Sequence, residues 1–154
     1  MNYEKKVIPK GTLIFYALLV LLAWVPLPLA SNRPWAWGVL NVASYLLLFC
    51  TLFTYSTEIN SVFRKFKIPI VLFAVFIMCV LAQLLPMPLV VLDFLSPTAG
   101  EFYAKTGVNF APVSIDPAQT EISLFKSISY FSLFLCTLFI CDSTARIKVL
   151  LLTV

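Results

Sequence analysis

The sequence contains no histidine, few charged residues and no paired cysteines. Only 12% of its 154 residues are charged, and its cysteines lie within apolar runs rather than in C-x-x-C pairs or polar loops. This pattern argues against a zinc site, a redox motif and a disulfide framework. We expect the thiols to be buried as small apolar side chains: Cys50, Cys79, Cys136 and Cys141. The sequence also lacks a Gly-rich phosphate loop, a G-x-S-x-G motif and a carboxylate pair suited to catalysis, so it predicts no metal and no cofactor.

Apolar residues are abundant instead. Hydrophobic residues make up 61% of the chain, and its mean hydropathy is +0.98. A soluble domain of this size could not bury so much apolar surface, so the composition predicts an integral membrane protein in contact with membrane lipid.

Apolar runs with few charged residues predict where the chain crosses the membrane. A spanning helix needs about 20 mostly apolar residues, and four runs approach or exceed that length, at about 8–29, 34–55, 68–85 and 117–141. Residues 149–154 begin a fifth. The predicted fold is therefore all-α and polytopic, with four transmembrane helices plus the start of a fifth in a single transmembrane region over 1–154.

Positive charges predict the side of the membrane on which each connection lies. Most of the Lys and Arg residues precede the first span, separate the second from the third, or follow the fourth: Lys5, Lys6, Lys10, Arg64, Lys65, Lys67, Arg146 and Lys148. The other connections hold Arg33 and Lys105. The positive-inside rule therefore predicts a cytoplasmic N-terminus, with 31–36 and 86–116 outside. The net charge of +4 is a topology signal and does not predict nucleic-acid binding.

The first apolar run also resembles a signal peptide, because a basic start precedes it and Ala30 is a small residue at a possible cleavage point. Pro28 departs from the A-x-A-like pattern, so we expect the run to be retained as a helix. Cleavage would leave the orientation of the later spans unchanged.

Prolines mark both ends of the predicted helices. Pro34 and Pro117 stand at helix starts, where the missing N–H would have had no partner, and Asp116 is a cap for the later helix. The first and third spans end in a Pro-x-Pro, at 26–28 and 86–88, which cannot continue a regular helix. These two breaks are either unrelated or a weak repeat of helix pairs.

The longest predicted connection, 86–116, holds three pieces. Residues 88–95 (PLVVLDFL) are too apolar for an ordinary loop and are predicted to lie in the membrane interface. Residues 96–107 predict a short periplasmic helix, with Ser96 as its cap and Gly107 as its stop. The following stretch is predicted to return extended to the membrane.

Polar side chains form a stripe in each of two predicted spans. The second span carries Asn41, Ser44, Thr51 and Tyr55. The fourth span carries Ser123, Ser127, Tyr130 and Thr137. Such stripes normally pack against other helices, and a substrate groove lined by them is the alternative.

Two outer cations are candidate substrate-binding residues, Arg33 and Lys126. Lys126 lies well inside the predicted fourth span, where it either snorkels, pairs with Glu121 or Asp93, or holds an anionic substrate such as a lipid diphosphate. Arg33 lies among tryptophans at the outer boundary. It either anchors the turn to lipid phosphates or an indole ring, or it contacts substrate.

Four short motifs occur in order along the chain. PLPLASNRPW at 26–35 is followed by LLPMPL at 84–89, SP at 96–97 and SIDPAQT at 114–120. Together they resemble the N-terminal region of bacterial O-antigen ligase and O-antigen polymerase-like membrane proteins, over roughly residues 13–148. The motif residues of the first element are Asn32, Arg33, Pro34 and Trp35.

The resemblance implies a multi-pass protein of the bacterial inner membrane that acts in surface polysaccharide and lipopolysaccharide assembly. Such proteins transfer glycan from undecaprenyl diphosphate, at the periplasmic face, to another glycan or to lipid A core, without a metal. Implied partners are lipid-linked glycan and other polysaccharide-assembly proteins. An outward-facing cationic pocket suits this chemistry, because a diphosphate leaving group develops negative charge.

Family members are much longer and carry essential Arg and His residues in a later periplasmic loop. We therefore expect this chain to be the N-terminal part of a longer protein, inactive in isolation and with its catalytic residues unknown. One alternative is a small non-enzymatic membrane protein that binds partner helices. Another is a transporter fragment, suggested by the broken helices.

Reporter fusions test the predicted topology. We expect a reporter that is active only outside the cytoplasm to be active when fused at Thr98 and inactive at Lys10 and Arg146, because cationic connections stay inside. Activity is measured in intact cells, with immunoblots as the control for expression. An active reporter at Arg146 would contradict the topology.

Overall fold

The computed structural model describes residues 11–25, 34–141 and 143–153. The described part of the chain contains eight α-helices and a two-stranded antiparallel ladder. The helices are α1 (Thr12–Trp24), α2 (Pro34–Thr54), α3 (Ile59–Lys65), α4 (Lys67–Ala82), α5 (Leu89–Leu95), α6 (Pro97–Ala104), α7 (Pro117–Ile140) and α8 (Thr144–Thr153), and the strands are β1 (Met87–Pro88) and β2 (Phe110–Ala111). The chain divides into two compact units, unit 1 (Met1–Phe66 with Ser129–Val154) and unit 2 (Lys67–Ile128).

Two of the described helices, α2 with 21 residues and α7 with 24, are long and apolar enough to cross a membrane. The pair α3 and α4 passes the same criterion if it counts as one span, which gives three at most, and α1 is a shorter apolar helix. The all-helical fold class is confirmed, whereas four full spans with the start of a fifth are not. The predicted span 8–29 extends beyond the described residues at both ends.

The third predicted span, 68–85, is observed as α4, which ends at Ala82 and has 16 residues, too few to count as a span by itself. Helix α3 comes before it, and the helix is interrupted at Phe66 between the two. A continuous helix would require the backbone nitrogen of Pro69 to donate a hydrogen bond to the Lys65 carbonyl, and proline has no N–H. Pro69 instead occupies the first turn of α4, where the backbone N–H groups lack intrahelical partners in any case. Helix α3 lies in the connection between the second and third predicted spans, where no helix was expected.

Helix starts follow the proline predictions. Pro34, Pro97 and Pro117 are the first residues of α2, α6 and α7. The Asp116 carboxylate accepts a hydrogen bond from the Gln119 N–H at 3.1 Å, which caps α7 as predicted. Each of these starts follows from local chemistry alone.

The core of unit 1 combines one face of α1 with α2 and residues 129–140 of α7. Its buried side chains include Leu18 of α1, Leu40 of α2 and Ile140 of α7, all at most 1% exposed. At the start of α1, Gly11 has φ +76 and lies directly against the ring of Tyr55. A larger residue at position 11 would meet both the left-handed backbone and that ring.

Arg146 joins three helices of unit 1. Its guanidinium donates a hydrogen bond to the Ile140 carbonyl at 3.0 Å and lies over the Phe15 ring, 5.6 Å from the centroid. A cation at the last carbonyls of a helix also interacts favourably with the helix dipole. Arg146 therefore connects the end of α7 to α1 and to its own helix, α8.

The core of unit 2 is a small cluster between α5, α6 and the ladder. Leu92, Ala99 and Ala111 are buried in it. Met87 pairs with Ala111, and Pro88 with Phe110, so the Pro-x-Pro break enters a short strand that the sequence analysis did not predict. The short helix predicted over 96–107 is observed as α6. Ser96 is its N-cap residue, but the Ser96 side chain makes no capping hydrogen bond. The Lys105 ammonium lies 2.9 Å from the Glu101 carboxylate, and Gly107 has φ +74 just beyond the helix.

The close approach of α5 and α6 depends on Gly100. A Cβ at position 100 would lie 2.9 Å from the Cα of Asp93, and a backbone atom cannot move aside cheaply. We expect Gly100→Ala to lower the free energy of unfolding by about 1–3 kcal/mol. The thermal unfolding midpoint of the purified chain in detergent measures this.

Gly38→Ala is the matched control, because a Cβ on this helical glycine would meet no atom within 4 Å. Its expected effect is neutral or stabilising, since alanine favours the helix. Equal midpoints for the two variants would contradict the role of Gly100.

Candidate functional site

The predicted N-R-P-W motif is described in part. Asn32 and Arg33 lie outside the described residues. Pro34 begins α2, and Trp35 follows it with 59% of its side chain exposed. The Trp35 ring meets the Trp24 ring of α1 edge-to-face, with centroids 6.2 Å apart. The two tryptophans thus bracket the segment that carries Arg33.

Lys126 lies in α7, in unit 2, and is half-buried. Its position in the tenth residue of α7 corresponds to about 14 Å of helix from Pro117. Within the described residues, no ion pair or hydrogen bond joins its ammonium to Glu121 or Asp93, the partners that the sequence suggested. Its role as a substrate-binding residue stays a prediction.

The polar stripe of α2 faces the interior of unit 1. Asn41, Ser44, Thr51 and Tyr55 are all buried, between 0% and 7% exposed. The Ser129 hydroxyl of α7 donates a hydrogen bond to Asn41 Oδ1 at 2.7 Å, across the interface between the two helices. This arrangement is the helix-packing alternative of the sequence analysis.

The stripe predicted on α7 is on the wrong face. The polar residues that α7 buries are Ser129 and Ser132, whereas Tyr130 is 48% exposed and Ser123 and Ser127 donate to carbonyls of their own helix. Serines lie on more than one face of this helix, so hydroxyl spacing alone could not select the packed face. The choice depends on which residue meets Asn41.

The cysteines do not share one environment. Cys136 is fully buried and its Sγ lies 3.5 Å from the Thr51 hydroxyl, which also donates to the Leu47 carbonyl at 2.7 Å. Cys50 and Cys79 are exposed, contrary to the expectation that every thiol would be buried. Their helices are apolar on the outside as well, because lipid tails favour the same side chains as a protein core.

The interface between α2 and α7 is suited to holding helices together. It contains neutral hydroxyl, amide and thiol groups, and no buried side-chain nitrogen or oxygen in the described residues lacks a hydrogen-bond partner. A satisfied polar interface of this kind has no group left over to orient a substrate. These contacts therefore do not support the substrate-groove alternative.

A separate apolar groove of about 580 Å³ runs between α1 and α2. Its walls are almost entirely hydrocarbon and include Leu13, Ala17, Val20, Val39 and Leu46. Such a groove can hold an alkyl or isoprenoid chain but offers almost no polar group to a headgroup. Trp24 lies among its lining residues.

Hydrogen bonds join separate segments of unit 2. The Ser114 N–H donates to the Gln83 carbonyl at 3.1 Å, and the Tyr103 hydroxyl donates to the Ser114 carbonyl at 2.7 Å. The Ser114 and Thr120 hydroxyls share a hydrogen bond of 2.7 Å. Ser114 therefore links the end of α4, helix α6 and the start of α7.

Comparisons with the models of known protein families, with curated proteins and with solved structures find no match for this chain.

A double-mutant cycle tests the interface between α2 and α7. Asn41→Leu and Ser129→Ala each remove one partner of the interhelical hydrogen bond, so we expect a coupling energy of about 0.6 kcal/mol and at most about 1.7. Unfolding of the four proteins in mixed micelles measures it.

The control cycle pairs Asn41→Leu with Ser123→Ala, because the Ser123 hydroxyl donates to the Gln119 carbonyl within α7. Its expected coupling is zero. Equal coupling in the two cycles would show that Ser129 has no special relation to Asn41.

Proposed function

We propose that this chain is the N-terminal transmembrane part of an O-antigen ligase- or polymerase-like protein of the bacterial inner membrane. In this proposal the whole protein transfers glycan from undecaprenyl diphosphate at the periplasmic face during surface polysaccharide assembly. The chain by itself is inactive, and its partners are the remainder of the same protein and lipid-linked glycan.

The observation that carries the proposal is that the segments containing three resemblance motifs fold together around Ser114. LLPMPL at 84–89, the SP start of α6 and SIDPAQT at 114–120 are distant in sequence, yet all three belong to unit 2. Met87 of LLPMPL pairs with Ala111, three residues before SIDPAQT begins. The Ser114 carbonyl accepts a hydrogen bond from the Tyr103 hydroxyl of α6. Motifs that build one folded segment have a physical reason to occur together and in order.

The membrane placement is supported by the surfaces of α2 and α7. Both helices are long and apolar enough to cross a bilayer, and α2 exposes large apolar side chains such as Val42, Leu46 and Phe53. Exposed apolar surface on this scale is unfavourable in water. This surface supports a membrane location. Four spans, the start of a fifth, a cytoplasmic N-terminus and a periplasmic segment at 86–116 are proposed from the apolar runs and the distribution of Lys and Arg in the sequence.

The proposed roles of Arg33 and Lys126 follow from charge. Both are cations on the outer side in the proposed topology, where a lipid diphosphate would present its phosphates. A guanidinium can bind two phosphate oxygens at once and stabilises the charge that develops as the diphosphate leaves. Arg33 is the stronger candidate, because it belongs to the N-R-P-W motif.

A second candidate is a non-enzymatic membrane protein that binds partner helices. The exposure of α4 favours it, since Ile70 is the one buried residue of that helix and its other apolar side chains are available to neighbours. The remainder of a longer enzyme would cover the same surface.

Complementation tests the proposal. We expect deletion of the gene encoding this chain to abolish surface polysaccharide, and the wild-type gene to restore it. Arg33→Ala is expected to reduce restored glycan by about 100-fold or more, the usual cost of losing one transition-state charge donor. Glycan is measured on gels of extracted lipopolysaccharide.

Lys105→Ala is the matched control, because Lys105 is the other cation of the predicted outer connections and its exposed ammonium pairs with Glu101. We expect this variant to restore normal glycan. Normal glycan with Arg33→Ala would leave Arg33 as an anchor, and normal glycan in the deletion strain would contradict the proposed function itself.

A further inference from the structure

The short helix α3 is amphipathic, and its polar side is open. Ile59 and Val62 pack against the core of unit 1, and the Phe63 ring lies 6.4 Å from the Phe139 ring. The opposite side of the helix lines a shallow cavity of about 480 Å³. We term the residues that line it the basic face: Thr57, Asn60, Ser61, Arg64 and Lys65.

The spacing of these residues explains the surface. Positions 57, 60, 61, 64 and 65 recur at intervals of three and four, so they lie on one side of a helix and its preceding turn. Anchoring of the apolar side fixes which way the basic face points. The basic face is therefore part of the fold of unit 1.

The chemistry of the basic face fits a phosphate group. Arg64 and Lys65 supply two cations, while Thr57, Asn60 and Ser61 supply neutral hydrogen-bond donors. Glu58 is the one acidic residue between 55 and 66 in the sequence, and it does not line this surface. The Lys65 ammonium lies over the Phe66 ring, 5.2 Å from its centroid, which limits its range of positions.

The chain holds the basic face close to the membrane. α2 ends at Thr54, and the apolar helix α4 begins at Lys67. The seven residues of α3 extend only about 10 Å, which is close to the Debye length of about 8 Å at physiological salt. Two cations tethered this near to a bilayer surface interact with its headgroups rather than with distant solutes.

We propose that the basic face binds the phosphate of an anionic membrane lipid at the cytoplasmic surface. The proposal goes beyond the glycan chemistry, since it lies on the other side of the membrane, and it rests on the membrane placement and topology proposed above. Ser61 and Thr57 donate to phosphate oxygens, and Arg64 and Lys65 neutralise the charge. The bound lipid fixes the depth of α3 at the membrane surface.

Lipid binding by the full chain tests the proposal. The chain is purified in neutral detergent, and its affinities for phosphatidylglycerol and phosphatidylcholine are measured by native mass spectrometry. We expect Arg64→Gln with Lys65→Gln to weaken phosphatidylglycerol binding about 10- to 30-fold, since each cation near a membrane surface contributes substantially. Phosphatidylcholine binding is expected to stay the same.

The matched control is Lys105→Gln with Lys148→Gln, which removes two exposed cations outside the basic face. Its expected change in phosphatidylglycerol affinity is less than twofold. An equal loss in the two double variants would overturn the proposal, because it would assign binding to net charge. Helix content by circular dichroism verifies that each variant is folded.

Variants of the neutral donors distinguish a defined phosphate site from general electrostatic attraction between the cations and the lipid. Thr57→Val with Ser61→Ala leaves the charge unchanged, and we expect a loss of about 3- to 10-fold in phosphatidylglycerol affinity. No loss would overturn the proposal of a defined phosphate site. Inorganic phosphate or an acidic peptide that binds as tightly as phosphatidylglycerol would equally overturn the assignment to lipid.

Membrane placement is measured independently, by carbonate extraction of membranes containing the same chain. A chain that is released by carbonate would contradict the membrane placement on which both proposals rest. A chain that stays in the membrane but shows no preference for phosphatidylglycerol would contradict only the lipid site. The glycan transfer of the Arg33 variant tests the proposed function separately. It gives no information about carbonate release or about lipid preference.

Discussion

Backbone hydrogen bonding is the constraint on which this structure depends. A peptide group in an apolar medium finds no water, so each break in a helix has to be placed where its N–H and carbonyl groups gain other partners. The break after α4 leads into the pairing of β1 with β2 and into the bond between Ser114 and Gln83. At the end of α7, the Arg146 guanidinium donates a hydrogen bond to the Ile140 carbonyl. Proline marks most of these positions because it has no N–H to satisfy.

Polar side chains follow the same rule inside unit 1. Asn41 and Ser129 satisfy each other, and Thr51 bonds its own helix while it touches Cys136. In a membrane, an apolar side chain gains little free energy by contacting another helix instead of a lipid tail. Polar contacts and close packing therefore determine which helices associate. The outer surfaces can then stay apolar without specifying any partner, as the exposed thiols of Cys50 and Cys79 illustrate.

Local chemistry could be predicted from the sequence, and choices between faces could not. The starts at Pro34 and Pro117 and the Asp116 cap depend on residues within one turn, and all of them are observed. The packed face of α7 and the register of Met87 on Ala111 depend on residues far apart in sequence, which periodicity does not report. Helix α3 was missed because its seven residues are too few for a periodic signal. For the proposed site, the sequence predicts only where Lys126 and Trp35 lie along their helices. No sequence pattern identifies the residues that surround them.

The hydrogen bonds around Ser114 bear on the order in which parts of the protein fold. Every contact of that cluster joins residues from 83 to 120, so the segment needs nothing from unit 1 to close. In the proposed topology this segment reaches the outer side of the membrane with all of its hydrogen-bonding partners once the start of α7 has been made. Loop-closure entropy for such a stretch grows only slowly with its length. The hydrogen bonds of this segment therefore do not depend on the helices that come after it.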